Sequence, residues 1–162
     1  MTMERPSERA AFLFARFLRA IALSAIGGLL LEFFLMCIFK IKKFARFAKK
    51  AGISDADLVE AARRAERGLI DADLGGGVIK QRIARRGEGR SGGFRTIILI
   101  KRGKLAFFVF GFAKKDADNL PDHHLDYAKA FAKAVFKFDA AQLKQMVDTG
   151  NATEVFYDVE GT

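Results

Sequence analysis

Two apolar runs separated by only three residues, Phe94 to Lys101 and Leu105 to Ala113, constrain this chain more than anything else in it. The first is rich in β-branched residues and the second is apolar almost throughout. Arg102-Gly103-Lys104 between them has the composition of a tight turn. The pair therefore reads as an antiparallel hairpin whose second strand is buried centrally in a sheet.

The flanking segments carry the helices such a sheet needs. Cys37 to Lys50 begins with alternating apolar and basic residues and then shifts to a helical period, so a short strand should lead into a helical turn ended by Gly52. Ser54-Asp55-Ala56-Asp57 is a helix start, with Ser54 as the N-cap and acids facing the positive end of the helix dipole. Leu58, Ala61, Ala62 and Ala65 share one face of that helix, and Gly68 closes it. Leu125, Ala128, Phe131, Ala132, Val135 and Phe136 have helical spacing after Pro121, and Asp139 caps a further helix from Ala140 to Val147. Asp71, Asp73 and the three glycines after them read as a turn, and Val155 to Val159 as a terminal edge strand or a tail.

Between the helices and the hairpin lies Gly75 to Arg95, which alternates cations with apolar residues and carries six Lys/Arg against one acid. On a strand, Lys80 and Arg82 point to one face and can converge on one phosphate. Gly92-Gly93 precedes Arg95 and lets a backbone come close. Lys114 and Lys115 end the buried strand, so together these residues describe a concave basic surface. Arg85, Arg86 and Arg90, on or near a glycine-rich loop, read equally well as a solvated face. The glycines are not a phosphate loop, because the Gly-Lys-Ser/Thr ending is missing. His123 and His124 read as exposed helix residues, Ser91 lacks a His/Asp arrangement, and the acids at 71, 73, 116 and 118 read as caps before metal ligands.

A net charge of +9 points the chain towards anions such as nucleic acid, anionic lipid or an acidic protein segment. Cys37 is the only cysteine, which excludes an intrachain disulfide and a cysteine-based metal site and points to a reducing compartment. Residues 1–35 stand apart. From Ala20 to Ile38 there is a single charge, Glu32, close to the roughly 20 apolar residues of a membrane-spanning helix. The segment reads as a membrane anchor, as an export signal, or as upstream sequence ahead of a start at Met36.

The run from Met36 through Phe44-Ala45-Arg46-Phe47-Ala48-Lys49-Lys50, Ile53 to Leu58, Gly68 to Arg85, Gly87 to Thr96 and Phe107 to Lys114 resembles the RelE/HigB-type toxins of bacterial type II toxin–antitoxin systems, within the RelE/ParE superfamily. The resemblance implies an α+β fold, a small twisted antiparallel sheet with helices packed on one face, over residues 36–148. An apolar N-terminal helix would precede it and a tail or edge strand, 149–162, would follow. It implies a cytoplasmic endoribonuclease, an mRNA interferase that cuts messenger RNA on the ribosome and inhibits translation. Its partner would be a cognate antitoxin from the adjacent gene, of helix-turn-helix type, and no cofactor or metal is called for. By motif match Lys80, Arg82, Arg95 and Lys114 or Lys115 become catalytic, with Arg85, Arg86, Arg90, Ser91 and Lys101 as further RNA contacts. The 2′-OH would attack the adjacent phosphate, with Lys80 as base, Arg82 and Arg95 on the phosphate oxygens, and Lys114 or Lys115 assisting the leaving oxygen. The competing expectations are a ParE-like toxin that inhibits DNA gyrase by protein binding, and a non-catalytic module tethered to the membrane through residues 20–38.

Overall fold

A computed structural model describes residues 36–85, 87, 92–114 and 120–155. Among the described residues six strands form one sheet in the order β2-β3-β4-β5-β1-β6, and four helices cover it. The elements run β1 (Cys37–Ile41), α1 (Lys42–Ala51), α2 (Asp55–Glu66), β2 (Ala72–Gly75), β3 (Val78–Ile83), β4 (Phe94–Lys101), β5 (Leu105–Ala113), α3 (Asp122–Val135), α4 (Ala140–Asp148) and β6 (Ala152–Val155).

The expected hairpin is β4–β5, with β5 in the interior between β4 and β1. The cap signals also hold. Ser54 and Asp57 form a reciprocal capping box at α2, Asp139 and Gln142 form another at α4, and α1 ends at Gly52 in the left-handed region.

The architecture is α+β, with two corrections to the expected sheet. It is mixed, because β1 runs parallel to β5 while its other neighbour, β6, is antiparallel. Nothing local encodes that pairing: β1 joins the hairpin from more than sixty residues away along the chain. The helices also cover both faces. Neighbouring residues alternate between two cores, Ile98, Phe108, Ile79 and Ile38 against α1 and α2, and Ile97, Leu99, Phe107, Val78 and Phe39 against α3 and α4. Strands buried on both sides read as continuous apolar runs, which is the pattern of β4 and β5.

The Asp-Gly segment read as a turn contains β2, a four-residue edge strand paired with β3. The terminal strand is β6, three residues earlier than the expected start at Val155, and residues 156–162 lie outside the described set. The expected N-terminal helix within residues 1–35 also lies outside it. Cys37 and Ile38, the last residues of the apolar stretch that could have been an anchor, belong to β1 instead, and Met36 is buried beside them. Among the described residues no helix is long and apolar enough to cross a membrane.

Candidate active site

The β3–β4 register sets the site. Val78 pairs with Leu99, Lys80 with Ile97 and Arg82 with Arg95, so alternation places Lys80, Arg82 and Arg95 on the face that α3 and α4 cover further along. Across the next strand, Arg95 pairs with Phe112 and Ile97 with Phe110. One row of the face therefore reads Arg82, Arg95, Phe112, and the next reads Lys80, Ile97, Phe110. Lys80 and Phe110 are diagonal neighbours of Arg95 on either side, at about 7–8 Å by sheet geometry.

Two guanidiniums directly opposite one another on adjacent strands repel. Arg82 is held in spite of this. Its main-chain N–H donates to Asp71 Oδ2, its Nε lies 3.5 Å from Asp71 Oδ1, and its carbonyl accepts from Arg64 Nη2. Arg95 has no such help. It is 7% exposed, and its Nη1 is buried with no hydrogen-bond partner among the described residues. A buried guanidinium normally has a carboxylate or several carbonyls around it, because desolvating it unpaired is costly. An arginine left this way beside a second arginine is a vacancy for an oxyanion, and a phosphate is the group whose oxygens match two guanidinium forks.

On the β5 side the row ends in aromatic rings. The His124 ring lies 4.9 Å from Phe110, Tyr127 lies 5.9 Å from it, and Lys43 Nζ sits 5.5 Å over its centre. Both His124 and Tyr127 come from the first half of α3, and Tyr127 is 53% exposed. Partial burial, and then the positive charges of His123 and Lys43, hold the His124 imidazole below its ordinary value of 6.5. Near neutral pH this ring is therefore uncharged and able to accept a proton. The aromatic flank is suited to stacking nucleobases beside the cationic floor.

Not every expected residue joins this floor. Lys114 follows the last residue of β5 and is exposed, at the same end of the sheet as Arg95. Arg85 lies on the opposite face, its guanidinium 5.6 Å over Phe94, whose edge meets Phe47 of α1. Lys101 sits at the far end of β4, where Nζ donates to the Phe136 carbonyl at 3.2 Å and so caps the C-terminus of α3. Arg86, Arg90, Ser91 and Lys115 lie outside the described residues.

Gly93 is where the expected close backbone approach occurs. A Cβ there would collide with the carbonyl of Ile83, so the glycine admits the chain's own neighbouring strand. Sequence reasoning passes over Phe110, Phe112, Tyr127 and Lys43, and reads His124 as an exposed helix residue. Phe110 and Phe112 alternate around Gly111, but only the register with β4 shows that they face Arg95.

A family model described as the RelE toxin of the RelE/RelB toxin–antitoxin system matches residues 36–155. A search of curated proteins finds no significant match.

Proposed function

Because the chain belongs to the RelE family, whose members are toxins paired with antitoxins, we propose that it is an endoribonuclease that cleaves messenger RNA without a metal ion and thereby inhibits translation. The observation that carries this reading is Arg95, buried beside Arg82 and facing Phe112, with its Nη1 lacking a hydrogen-bond partner among the described residues. Arg82 and Arg95 hold the non-bridging oxygens of the scissile phosphate, where fixed donors stabilise the charge that builds up during transesterification. Lys80 or the neutral His124, on either side of Arg95, takes the proton from the attacking 2′-OH. Lys114, which follows β5, or its sequence neighbour Lys115 donates to the departing 5′-oxygen. The bases flanking the cut stack on Phe110, Phe112 and Tyr127.

The work is done in the cytoplasm, where messenger RNA is, and on the ribosome. A cognate antitoxin of helix-turn-helix type, encoded alongside, covers the cationic face and silences it.

Primer extension on cellular RNA after a pulse of expression tests the reading. Discrete cuts within coding sequence are expected. Intact messages with accumulating DNA damage would instead mean gyrase inhibition, for which a convergent phosphate site is unnecessary. Growth arrest should disappear with Arg95→Ala while the antitoxin complex still forms. A folded, equally toxic Arg95→Ala chain would remove that residue from the site.

A further inference from the structure

α1, which packs on the other face of the sheet from the cationic floor, carries a second concentration of positive charge. Lys42, Lys43, Arg46, Lys49 and Lys50 are all exposed. At 3.6 residues per turn they fall within an arc of about 120° and extend about 12 Å along the helix axis. None of the five has an ion-pair partner among the described residues. The opposite side of the helix is committed to the core through Phe44 and Ala48.

The placement is locally unfavourable. Lys42 and Lys43 occupy the first turn, where the helix dipole is positive, with no acid in that turn and no side-chain cap from Ile41. α2 and α4 each have a full capping box. Lys49 and Lys50 suit the last turn, but Lys42 and Lys43 oppose the dipole, and a stripe with no acid paired to it among the described residues points to an external anion.

The stripe is also continuous with the floor. Lys43, in the first turn of α1, lies over Phe110, whose ring neighbours are His124 and Tyr127. A polyanion that leaves the floor past Phe110 meets Lys43 first and then the remaining α1 cations in sequence. We propose that α1 is an exosite for the flanking strand of the same RNA, gripping phosphates beyond the cleaved step. The inference rests on the ribonuclease reading given above.

The test uses the full chain and RNA oligonucleotides with 2′-O-methyl groups throughout, which lack the attacking 2′-OH and so bind without being cut. One is long enough to run from the floor along α1, about twenty nucleotides, and one spans the floor alone, about four. The variant Lys42→Gln/Arg46→Gln/Lys49→Gln/Lys50→Gln leaves Lys43 and the floor intact. It should bind the long oligonucleotide at least tenfold more weakly, and the slope of log affinity against log salt should fall by about 2–3, since each lost phosphate contact contributes about 0.7 for a single strand. Affinity for the short oligonucleotide should stay unchanged.

Equal affinity of variant and wild type for the long oligonucleotide, with an unchanged salt slope, would overturn the exosite. So would a variant that keeps RNA binding and loses the antitoxin, since the stripe would then serve an acidic protein surface. Failure of the wild type to bind either oligonucleotide would overturn the RNA reading itself, and the exosite with it.

Discussion

Arg95→Met should make this protein more stable and less active, and the two effects together separate a ligand-binding arginine from a structural one. Methionine keeps much of the volume and removes the guanidinium. In the wild type Arg95 is 7% exposed, lacks a partner at Nη1 among the described residues, and stands opposite Arg82 directly across the strand pair. Replacing even a buried ion pair with well-packed apolar side chains is often neutral or stabilising by about 1–4 kcal/mol, and a buried cation without a carboxylate partner has less attraction to lose. The repulsion between opposed cations adds a few tenths of a kcal/mol to about 1 kcal/mol. Some of this is lost because Met fills the slot less well, so a net gain of about 1–2 kcal/mol is expected. Urea denaturation reads it as a midpoint raised by about 0.5–1 M with an unchanged slope. RNA cleavage should drop by about 100- to 1,000-fold, the usual effect of removing one donor that stabilises transition-state charge. A Met variant less stable than wild type by about 1 kcal/mol or more would mean that Arg95 holds the fold together, and the vacancy argument would fail.

Three further perturbations test the scaffold around the site. Gly111→Ala drives a methyl group into the Phe47 ring where α1 meets β5, and it should cost about 1–3 kcal/mol in urea denaturation. Gln81 is fully buried, accepting from the Asp71 N–H and donating to the carbonyls of Ala61 and Leu69. Gln81→Leu therefore strands buried backbone groups that tie α2 and the strand entering β2 to β3, and should cost about 2–4 kcal/mol. His124 is held below its ordinary value of 6.5 in the folded chain, so the unfolded chain binds more protons as the pH falls below that value. The stability it supports is fully present above pH 6.5 and is lost as the pH drops through the folded value. His124→Gln should flatten that part of the profile in a urea series between pH about 5 and 7.

How far the fold could be read in advance follows from where each piece of information resides. The β4–β5 hairpin is local: a β-branched run, a Gly-centred turn and an apolar run lie next to one another, so periodicity and turn chemistry suffice. The capped starts of α2 and α4 are local for the same reason. That Lys80, Arg82 and Arg95 share a face depends only on strand alternation and one register.

The second covered face was also written in the chain, in apolar neighbours such as Ile97-Ile98 and Phe107-Phe108, which leave no side for solvent. The parallel β1–β5 pairing was not, because it joins residues far apart and no local residue choice distinguishes it. β2 was hidden because Asp71 to Gly75 has turn composition, and it becomes a strand only through its partner β3. In the site, the aromatic flank depends on α3 crossing the sheet so that His124 and Tyr127 reach Phe110, which is tertiary information. The same holds for Lys101, whose position at a helix C-terminus cannot be told from a floor position by strand alternation alone.

The chemistry at the cut ends tests the central claim most directly. RNA from cells expressing the chain, or RNA cut by the purified chain on translating ribosomes, should carry a 2′,3′-cyclic phosphate on the upstream fragment and a 5′-hydroxyl on the downstream one. A single 2′-deoxy nucleotide at the cut position should abolish that cut. Ends bearing a 3′-hydroxyl and a 5′-phosphate, or cutting that survives the deoxy substitution, would contradict attack by the 2′-oxygen at a phosphate held by Arg82 and Arg95.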